Sequence, residues 1–422
     1  MKVLVVGGGG REHTLIWKLK QSPRVDKIYC APGNGGIAQD AECIPLTADN
    51  IQGLADFATA EKIDLTVVGP EVSLVAGIGD LFASRGLKLF GPRGKAALLE
   101  GSKVFSKEVM AKYGVSTAAF KVFQDPADAR SFVRELGGPC VIKADGLAAG
   151  KGVIIAANTA EAEEAVQLVM EERAFGEAGK SVVVEELLEG EEVSVLAFTD
   201  GKTILPLVAS QDHKRIFDGD EGPNTGGMGA YSPPPIYTSE LHDMACKDVL
   251  EPVIRGLASE GIKYQGVIYA GLMITKKGPY VLEFNCRFGD PETQVVIPRL
   301  KTDLIEVMEA VVDERLDEVQ LEWDSRAAVC VVLASGGYPG SYEKGKVITG
   351  LDELPSDVLA FHAGTALAGE QLVTSGGRVL GITGFGVGVE EAVRRAYAGV
   401  EKIHFEGMQY RRDIAHRALK RG

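Results

Sequence analysis

The chain has 422 residues, 45% hydrophobic and 25% charged, which is enough for several domains with cores of their own. Its formal net charge of −14 argues against a broad nucleic-acid surface, because backbone phosphates are bound by clustered Lys and Arg. No apolar run approaches the roughly 20 residues of a membrane span, so we expect a cytoplasmic protein, with no membrane partner, that holds anionic ligands in local pockets.

Strand and helix signals alternate over residues 2–92. The expected strands are 2–7, 27–31, 64–70 and 87–92, and the expected helices are about 12–21, 50–60 and 75–85. This alternation predicts a parallel sheet covered on both faces. The turns after its strands meet at the carboxyl edge, where such sheets bind ligands.

The glycines from Gly7 to Gly10 follow the first strand and precede a helix, as in dinucleotide-binding folds. Two details weigh against that interpretation. The third fingerprint glycine position holds Glu12 or His13, depending on register, and the second strand ends in Cys30–Pro32 without an acid for a ribose hydroxyl. We therefore expect this edge to form a substrate wall rather than a nicotinamide or flavin site.

A glycine-rich loop, Asp145–Gly152, lies between two short runs that both favour strand. It differs from the common phosphate loop, because three residues separate Gly146 from Gly150 and the segment after Gly152 is β-branched. We predict a hairpin flap whose backbone N–H groups and Lys151 approach phosphates. The alternative is an ordinary surface hairpin.

Lys143 lies in the strand before this loop. It is either an edge-strand lysine that guards against aggregation or, if its face meets the flap, a contact for α- and β-phosphates. Lys103 is a second candidate cation.

The strand after the flap ends in an acidic pair, Glu185 and Glu186, and a short link leads to Glu192. Such a link can offer backbone groups to a purine and a carboxylate to a ribose. A solvated acidic hinge would carry the same charges, but the position just beyond the flap favours nucleotide binding.

Residues 280–288 form a sharper pattern. Alternation places Glu283, Asn285 and Arg287 on one face of a predicted strand and apolar side chains on the other. Magnesium prefers oxygen ligands and keeps substrate phosphates in its shell, so Glu283 and Asn285 are candidate metal ligands beside an anion-neutralising arginine. A solvent-facing polar strand is the alternative.

Two loops and a tail complete the chain. Residues 210–215 concentrate cations and residues 222–231 are rich in glycine, so each is either a ligand-approaching segment or a surface turn. Strands are expected near 327–335 and 378–386. The tail from about residue 390 is expected to be helical, with its terminal Arg and Lys on a solvated face.

These features occur in the order found in ATP-grasp ligases. The chain resembles in particular the glycinamide ribonucleotide synthetase (phosphoribosylamine–glycine ligase) family over essentially its whole length, through GGGGREH, APGN, VGPE, FGP, EGSK, IKADGLAAGKGV, EELLEGEEVS, SQDHKR, GPNTGGMGAYSP, EFNCRFGDPETQ, SGGYPG and FHAGT. The resemblance implies a Rossmann-like N-terminal α/β domain over 1–103, an ATP-grasp region over 104–325 with a mobile flap subdomain at 120–190, and a small C-terminal domain over 326–422.

The resemblance also implies an activity, the ATP-dependent ligation of glycine to 5-phosphoribosylamine through glycyl phosphate in de novo purine biosynthesis. Mg²⁺ or Mn²⁺ would be the cofactor, and a monomer is expected. Another ATP-grasp carboxylate–amine ligase of purine metabolism is the alternative. No enzyme nucleophile is required, which fits the lack of a convincing Ser/His/Asp or Cys/His pattern.

Site residues follow from the same resemblance. ATP binding is implied for Lys103, Lys143, Gly150, Lys151, Glu185, Glu186, Leu188 and Glu192. Metal binding is implied for Glu283 and Asn285, and catalytic roles for Arg287 and Lys214. The ribosylamine and glycine pocket is expected to involve Gly9, Gly10, Arg11, Glu12, Asp212 and His213. The preceding strand, GVIYAGLMI, lacks the further acidic metal ligand that many superfamily members have there.

Overall fold

The computed structural model describes residues 1–148 and 152–421. The first part of the chain forms a five-stranded parallel sheet, which we call the N-terminal sheet. Its strands in spatial order are Glu42–Cys43, Lys27–Pro32, Lys2–Gly7, Leu65–Val68 and Leu89–Phe90. Helices Gly10–Leu19, Ile51–Ala60, Glu71–Val75 and Ile78–Ser84 connect and cover them. The predicted parallel sheet is therefore confirmed. The edge strand Glu42–Cys43 was not predicted, because its two residues carry no periodic pattern, whereas the other edge strand lies within the predicted range 87–92.

The strands on either side of the glycine-rich loop belong to a separate antiparallel sheet, the flap sheet. Its strands in spatial order are Phe120–Phe123, Val182–Glu186, Cys140–Ala144 and Val153–Ala156. Helices Pro126–Leu136 and Thr159–Val166 pack on it, and helices Gly94–Gly101 and Lys103–Lys112 lead into it from the N-terminal sheet. The strands on either side of the loop pair directly, with Lys143 opposite Val153, so the predicted hairpin is confirmed.

A third sheet, the central sheet, carries the polar row predicted for metal binding. Its antiparallel strands in spatial order are Ile204–Pro206, Glu191–Thr199, Gly266–Thr275 and Gly278–Asn285. Helices Ser239–Met244, Glu251–Ser259, Thr293–Val296 and Leu304–Val312 follow or cover it. The last strand ends at Asn285 rather than Phe288, because the Cys286 N–H leaves the ladder and donates to Glu100 Oε2 at 2.7 Å. Arg287 therefore lies in the turn beyond the strand.

The final sheet, the C-terminal sheet, is built from two parts of the chain. Its strands in spatial order are Gln211–Asp212, Gly229–Ser232, Ala327–Ala334, Arg378–Gly386 and Val358–His362. Helices Val389–Val400 and His416–Leu419 accompany it, and the two hairpins Arg215–Phe217/Glu221–Asn224 and Thr365–Ala368/Gln371–Thr374 extend from it. Because the first two strands come from the middle of the chain, the central and C-terminal parts interlock.

Three aromatic rings join the N-terminal and central sheets. Phe288 lies 6.2 Å from Phe90 of the N-terminal sheet and 5.9 Å from Phe198 of the central sheet, measured between ring centroids. All three side chains are buried. This contact holds the turn that carries Arg287 against the carboxyl edge of the N-terminal sheet. None of the helices in the described part of the chain combines the length and apolar character needed to cross a bilayer.

The basic tail is only partly the solvated face expected from the sequence. Lys420 and Arg421 are exposed, but Arg411 is 0% exposed. Its NH1 contacts Asp220 Oδ1 at 2.8 Å, and its Nε and NH2 each contact Asp413 at 2.7 Å. The expectation fails for Arg411 because Asp220, at the tip of a distant hairpin, provides an acidic partner that local sequence does not reveal.

We expect Arg411→Met to lower the free energy of unfolding by about 2 kcal/mol, because Asp413 loses its guanidinium partner and Asp220 keeps only that of Arg417. Denaturant unfolding followed by circular dichroism measures this. The matched control is Arg412→Met, since Arg412 is exposed and its substitution should change stability by less than about 0.5 kcal/mol. Equal effects of the two substitutions would contradict a stabilising role for the buried guanidinium of Arg411.

Candidate active site

A cavity of about 500 Å³ lies where the four sheets meet. This is within the size range of small-molecule sites. The predicted site residues that line it are Arg11, Lys103, Lys143, Glu185, Glu186, Leu188, Glu192, Asp212, Lys214, Glu283, Asn285 and Arg287. The fold therefore brings together side chains that are spread over nearly 280 positions of sequence.

Four predicted substrate residues lie outside this cavity lining. Glu12 is 2% exposed, and its carboxylate accepts from the Gly9 N–H and from Arg11 Nε, both at 2.6 Å. A Cβ at Gly10 would come within 2.6 Å of the Gln294 amide nitrogen. His213 is buried, and its Nε2 accepts from the Ala415 N–H at 2.9 Å. In this structure Gly10, Glu12 and His213 hold the fold around the cavity.

Gly9 borders a second cavity of about 350 Å³, between the glycine turn of the N-terminal sheet and the C-terminal part of the chain. Asp290 and Arg378 line both cavities, so the two are adjacent. Gly150 and Lys151 fall outside the described residues, and their roles stay predictions.

The flap side of the main cavity is largely apolar. The apolar side chains that line the cavity there include Met110, Ala118, Val141, Val153, Ile155, Leu187, Leu188, Met273 and Leu282. Lys143 projects among these side chains, and its strand is hydrogen-bonded on both sides, so it is not an edge-strand lysine. Its Nζ contacts Glu185 Oε2 at 2.9 Å and donates to the Leu282 carbonyl at 2.9 Å. An apolar slot that ends in a buried charge suits a purine followed by phosphates.

The base of the flap is attached to the start of helix Lys103–Lys112. Asp145 Oδ1 accepts from Ser102 Oγ at 2.9 Å and from the Val104 N–H at 3.2 Å, and Lys103 Nζ donates to the Gly146 carbonyl at 3.1 Å. Burial lowers the pKa of Lys103, and the nearby Lys143 charge adds to this while Glu283 opposes it. A helix N-terminus and a cation therefore lie beside the flap, an arrangement that favours anions.

Glu283 and Asn285 both line the cavity, as expected for two residues on one face of a strand. Glu283 and Asn285 are half-buried, and they lie opposite Gly271 and Tyr269 of the neighbouring strand. That strand supplies no acid at these two register positions. A partial set of oxygen ligands suits Mg²⁺, which takes its remaining ligands from water and substrate phosphates. Residues 1–148 and 152–421 contain no group of three or more His, Cys, Asp or Glu side chains arranged to hold a metal ion.

Sequence reasoning did not assign a role to Glu292, a buried carboxylate that also lines the cavity. It accepts from Tyr269 Oη at 2.7 Å and from Ser194 Oγ at 3.2 Å. Glu292 follows a turn after the Glu-x-Asn strand, so strand alternation could not identify it. The DPETQ motif was the available signal.

Arg287 is held between two acids that were likewise not assigned. Its Nε contacts Glu71 Oε2 at 2.9 Å and its NH2 contacts Glu100 Oε1 at 2.8 Å. Burial disfavours the charge on Arg287, but Glu100 and Glu71 outweigh this and raise its pKa. Arg11 NH1 and Arg287 NH1 donate to the same carbonyl, that of Phe288, at 3.0 and 3.2 Å. Two fixed guanidinium groups thus line this end of the cavity and can neutralise an anion.

Lys214 is held in a similar way by Glu192 and Asp212, the latter at 3.3 Å. Burial raises the pKa of Asp212 to about 6, and Glu292 and Glu192 add to this while Lys214 opposes it. The charge of Lys214 lowers the pKa of Glu192. This end of the cavity therefore presents one cation between two acids, with Asp212 the weaker acid of the pair.

Comparison with known proteins identifies the fold and its relatives. The chain matches the family models of phosphoribosylglycinamide synthetase, with the N domain at residues 1–100, the ATP-grasp (A) domain at 101–293 and the C domain at 328–417. It is 52% identical over 415 residues to the phosphoribosylamine–glycine ligase of Caldanaerobacter subterraneus subsp. tengcongensis, covering 98% of this chain and 99% of that one. Its identity to the Pseudomonas aeruginosa ligase is 53% over 425 residues, covering 100% and 99%.

Solved structures agree with these matches. The crystal structure of the phosphoribosylamine–glycine ligase of Thermotoga maritima superposes with a TM-score of 0.84 at 38% identity, covering 98% of this chain and 100% of that one. The biotin carboxylase domain of Hydrogenobacter thermophilus 2-oxoglutarate carboxylase, solved with MgADP and bicarbonate, shares the fold, with a TM-score of 0.76 at 18% identity over 97% of this chain and 91% of that one. The resemblance inferred from the sequence motifs is confirmed, and the chain belongs to the phosphoribosylglycinamide synthetase family of ATP-grasp enzymes.

Proposed function

We infer that this protein is an ATP-dependent ligase that joins glycine to 5-phosphoribosylamine, giving glycinamide ribonucleotide, ADP and phosphate in de novo purine biosynthesis. The main support is identity of about 52% along the whole chain to enzymes named for this reaction. The convergence of lysines, arginines and the Glu-x-Asn pair on one cavity agrees with it. The alternative of a different purine-pathway ligase lacks comparable support.

The reaction requires a carboxylate to become an acyl donor. A glycine carboxylate oxygen attacks the γ-phosphorus of ATP, so that ADP leaves and glycyl phosphate forms. The amine of phosphoribosylamine then attacks the acyl carbon, loses a proton, and expels phosphate with the former glycine oxygen. No covalent enzyme intermediate is needed, so catalysis depends on positioning and on charge neutralisation.

We propose that the apolar slot beside Glu185, Glu186 and Leu188 binds the base and that Glu192 binds the ribose. Lys103 and Lys143 would then contact the phosphates, together with Gly150 and Lys151 of the flap. The family uses ATP with a divalent metal, and we place Mg²⁺ or Mn²⁺ at Glu283 and Asn285. Bound there, the ion would neutralise the phosphate oxygens.

We propose that the remaining charged side chains of the cavity contact the transferring phosphoryl group, glycine and phosphoribosylamine. Arg287 and Arg11 neutralise the transferring phosphoryl group or the glycine carboxylate. Lys214 and Asp212 contact the acyl acceptor side. The neighbouring cavity beside Gly9 accommodates the phosphorylated ribosylamine, since backbone N–H groups, hydroxyls and Arg378 surround it.

Phosphate release should require ATP, glycine and phosphoribosylamine together, and an assay that omits each in turn tests this. Glycine labelled with ¹⁸O in its carboxylate should transfer one labelled oxygen to the released phosphate, because the acyl phosphate bridge derives from that carboxylate. Mass spectrometry of the phosphate measures the label. Release that is indifferent to glycine would reject the assigned reaction, and unlabelled phosphate would reject the acyl phosphate route.

Glu283→Ala should lower kcat by at least about 100-fold and raise the Mg²⁺ concentration needed for half-maximal activity, because an oxygen ligand of the metal is lost. Steady-state kinetics at varied Mg²⁺ and Mn²⁺ measure both effects, and thermal unfolding checks that the fold is retained. Glu306→Ala is the matched control, since Glu306 is exposed on helix Leu304–Val312. Unchanged activity of Glu283→Ala would remove that residue from the metal site.

The kcat/KM for phosphoribosylamine should fall as pH drops through about 6, because Asp212 then takes up a proton and loses the charge that faces Lys214. Asp212→Asn should have lower activity and should lose this acidic limb of the pH–rate profile. Asp248→Asn, an exposed counterpart, should retain it. If Asp212→Asn kept the acidic limb of the unsubstituted protein, the titration would belong to another group.

A further inference from the structure

Lys107 is a buried lysine at the cavity wall to which neither sequence motif nor family resemblance assigned a role. It lies one helical turn after Lys103 and is 2% exposed. Its Nζ is 3.1 Å from Glu185 Oε1, and the other carboxylate oxygen of Glu185 is 2.9 Å from Lys143 Nζ. One buried carboxylate therefore bridges two lysines, and we refer to Lys107, Glu185 and Lys143 as the bridged cluster.

The bonding of the two lysines differs. Lys143 uses one donor on Glu185 and one on the Leu282 carbonyl, which leaves a third N–H for a ligand in the cavity. Lys107 instead donates to Thr117 Oγ1 at 2.6 Å, and its Nζ lies 5.4 Å from the centre of the Phe120 ring. Thr117 Oγ1 in turn donates to the Val281 carbonyl at 2.6 Å. Lys107 is thus anchored to the protein and acts on Lys143 through their shared carboxylate.

The charge balance of the bridged cluster depends on Lys107. Two lysines and one glutamate have a formal charge of +1, and removal of Lys107 would leave a neutral Lys143–Glu185 pair. Burial lowers the pKa of Lys107 to about 8, with Glu185 opposing the shift and Lys143 adding to it, so the ammonium form still predominates at neutral pH. Because the cluster is buried, solvent and salt screen its charge only weakly.

We propose that Lys107 is a positioning residue for nucleotide binding. Its ammonium neutralises the charge of Glu185, so the ammonium of Lys143 keeps a net positive charge toward the nucleotide phosphates. The inference rests on the proposed function, since it requires ATP to occupy this cavity. It assigns to Lys107 an effect on phosphate binding without direct contact to the nucleotide.

A charge cycle of four proteins tests the proposal. The unsubstituted protein, Lys107→Met, Glu185→Gln and the double variant have cluster charges of +1, 0, +2 and +1. Calorimetric titration with ATP and with uncharged adenosine measures the preference for ATP, expressed as the ratio of the two dissociation constants. We expect Lys107→Met to lower this preference about tenfold, Glu185→Gln to raise it, and the double variant to return it to within about threefold of the unsubstituted protein.

Kinetics provide a second readout. In Lys107→Met the KM for ATP should rise on the order of tenfold while the KM for glycine stays within about twofold. The matched control is Lys112→Met on the same helix, where Lys112 is 60% exposed and pairs with Glu260. This control should leave both constants unchanged.

A packing role for Lys107 predicts a different outcome. Lys107→Met would then weaken ATP and adenosine equally, and the double variant would be impaired at least as much as either single variant. Either result overturns the proposal. If Lys107→Met does not fold, Glu185→Gln decides by itself, because an ATP preference that fails to rise contradicts the charge argument. Lack of ATP binding by the unsubstituted protein would refute the proposed function as well, whereas normal ATP binding with no ordering by charge would refute this inference alone.

Discussion

Pairing of buried charges is the constraint on which the cavity depends. Three groups of charged side chains line it: Arg287 between Glu71 and Glu100, Lys214 between Glu192 and Asp212, and Glu185 between Lys107 and Lys143. Each group has a central charge with two partners of opposite sign. Such charges would be costly to bury without partners, so the segments that carry the partners must pack next to each other around the cavity.

The net charges of the three groups differ between the regions of the cavity. The group at the flap has a formal charge of +1, which suits nucleotide phosphates. The groups around Arg287 and Lys214 each have a formal charge of −1 but present their cation at the centre. Their acids hold the cation in one orientation, from which it can contact a transferring anion. A ligase without an enzyme nucleophile needs such fixed charges, because they do not have to reorganise during the reaction.

The packing of the four sheets explains why these groups stay aligned. Phe90, Phe198 and Phe288 hold the turn that carries Arg287 against the N-terminal sheet. Strands Gln211–Asp212 and Gly229–Ser232 leave the middle of the chain to join the C-terminal sheet, and so bring Asp212 and the following Lys214 to the cavity. Arg411 and Arg417 of the tail bind Asp220 at the tip of the adjoining hairpin, so the end of the chain supports the same wall.

The sequence by itself determined the features that depend on local patterns. Alternation of strands and helices predicted the parallel N-terminal sheet, the glycines between two β-branched runs predicted the flap hairpin, and period-two alternation placed Glu283 and Asn285 on one face of their strand. These patterns follow from backbone geometry within about ten residues, and they are therefore visible before folding. The family motifs added most of the residues that line the cavity.

Only the tertiary structure decided which partner each buried charge has. Arg287 pairs with Glu71, 216 positions away, and Lys107 of helix Lys103–Lys112 shares Glu185 with Lys143 of the flap sheet. Tertiary packing also buried Glu12 and His213 beside hydrogen-bond partners, and it buried Arg411, whose local sequence indicates a solvated tail. Desolvation makes such pairs necessary, but the sequence around a buried cation does not show which of the chain's acids will pair with it. Packing of the sheets alone selects the acid that is within reach.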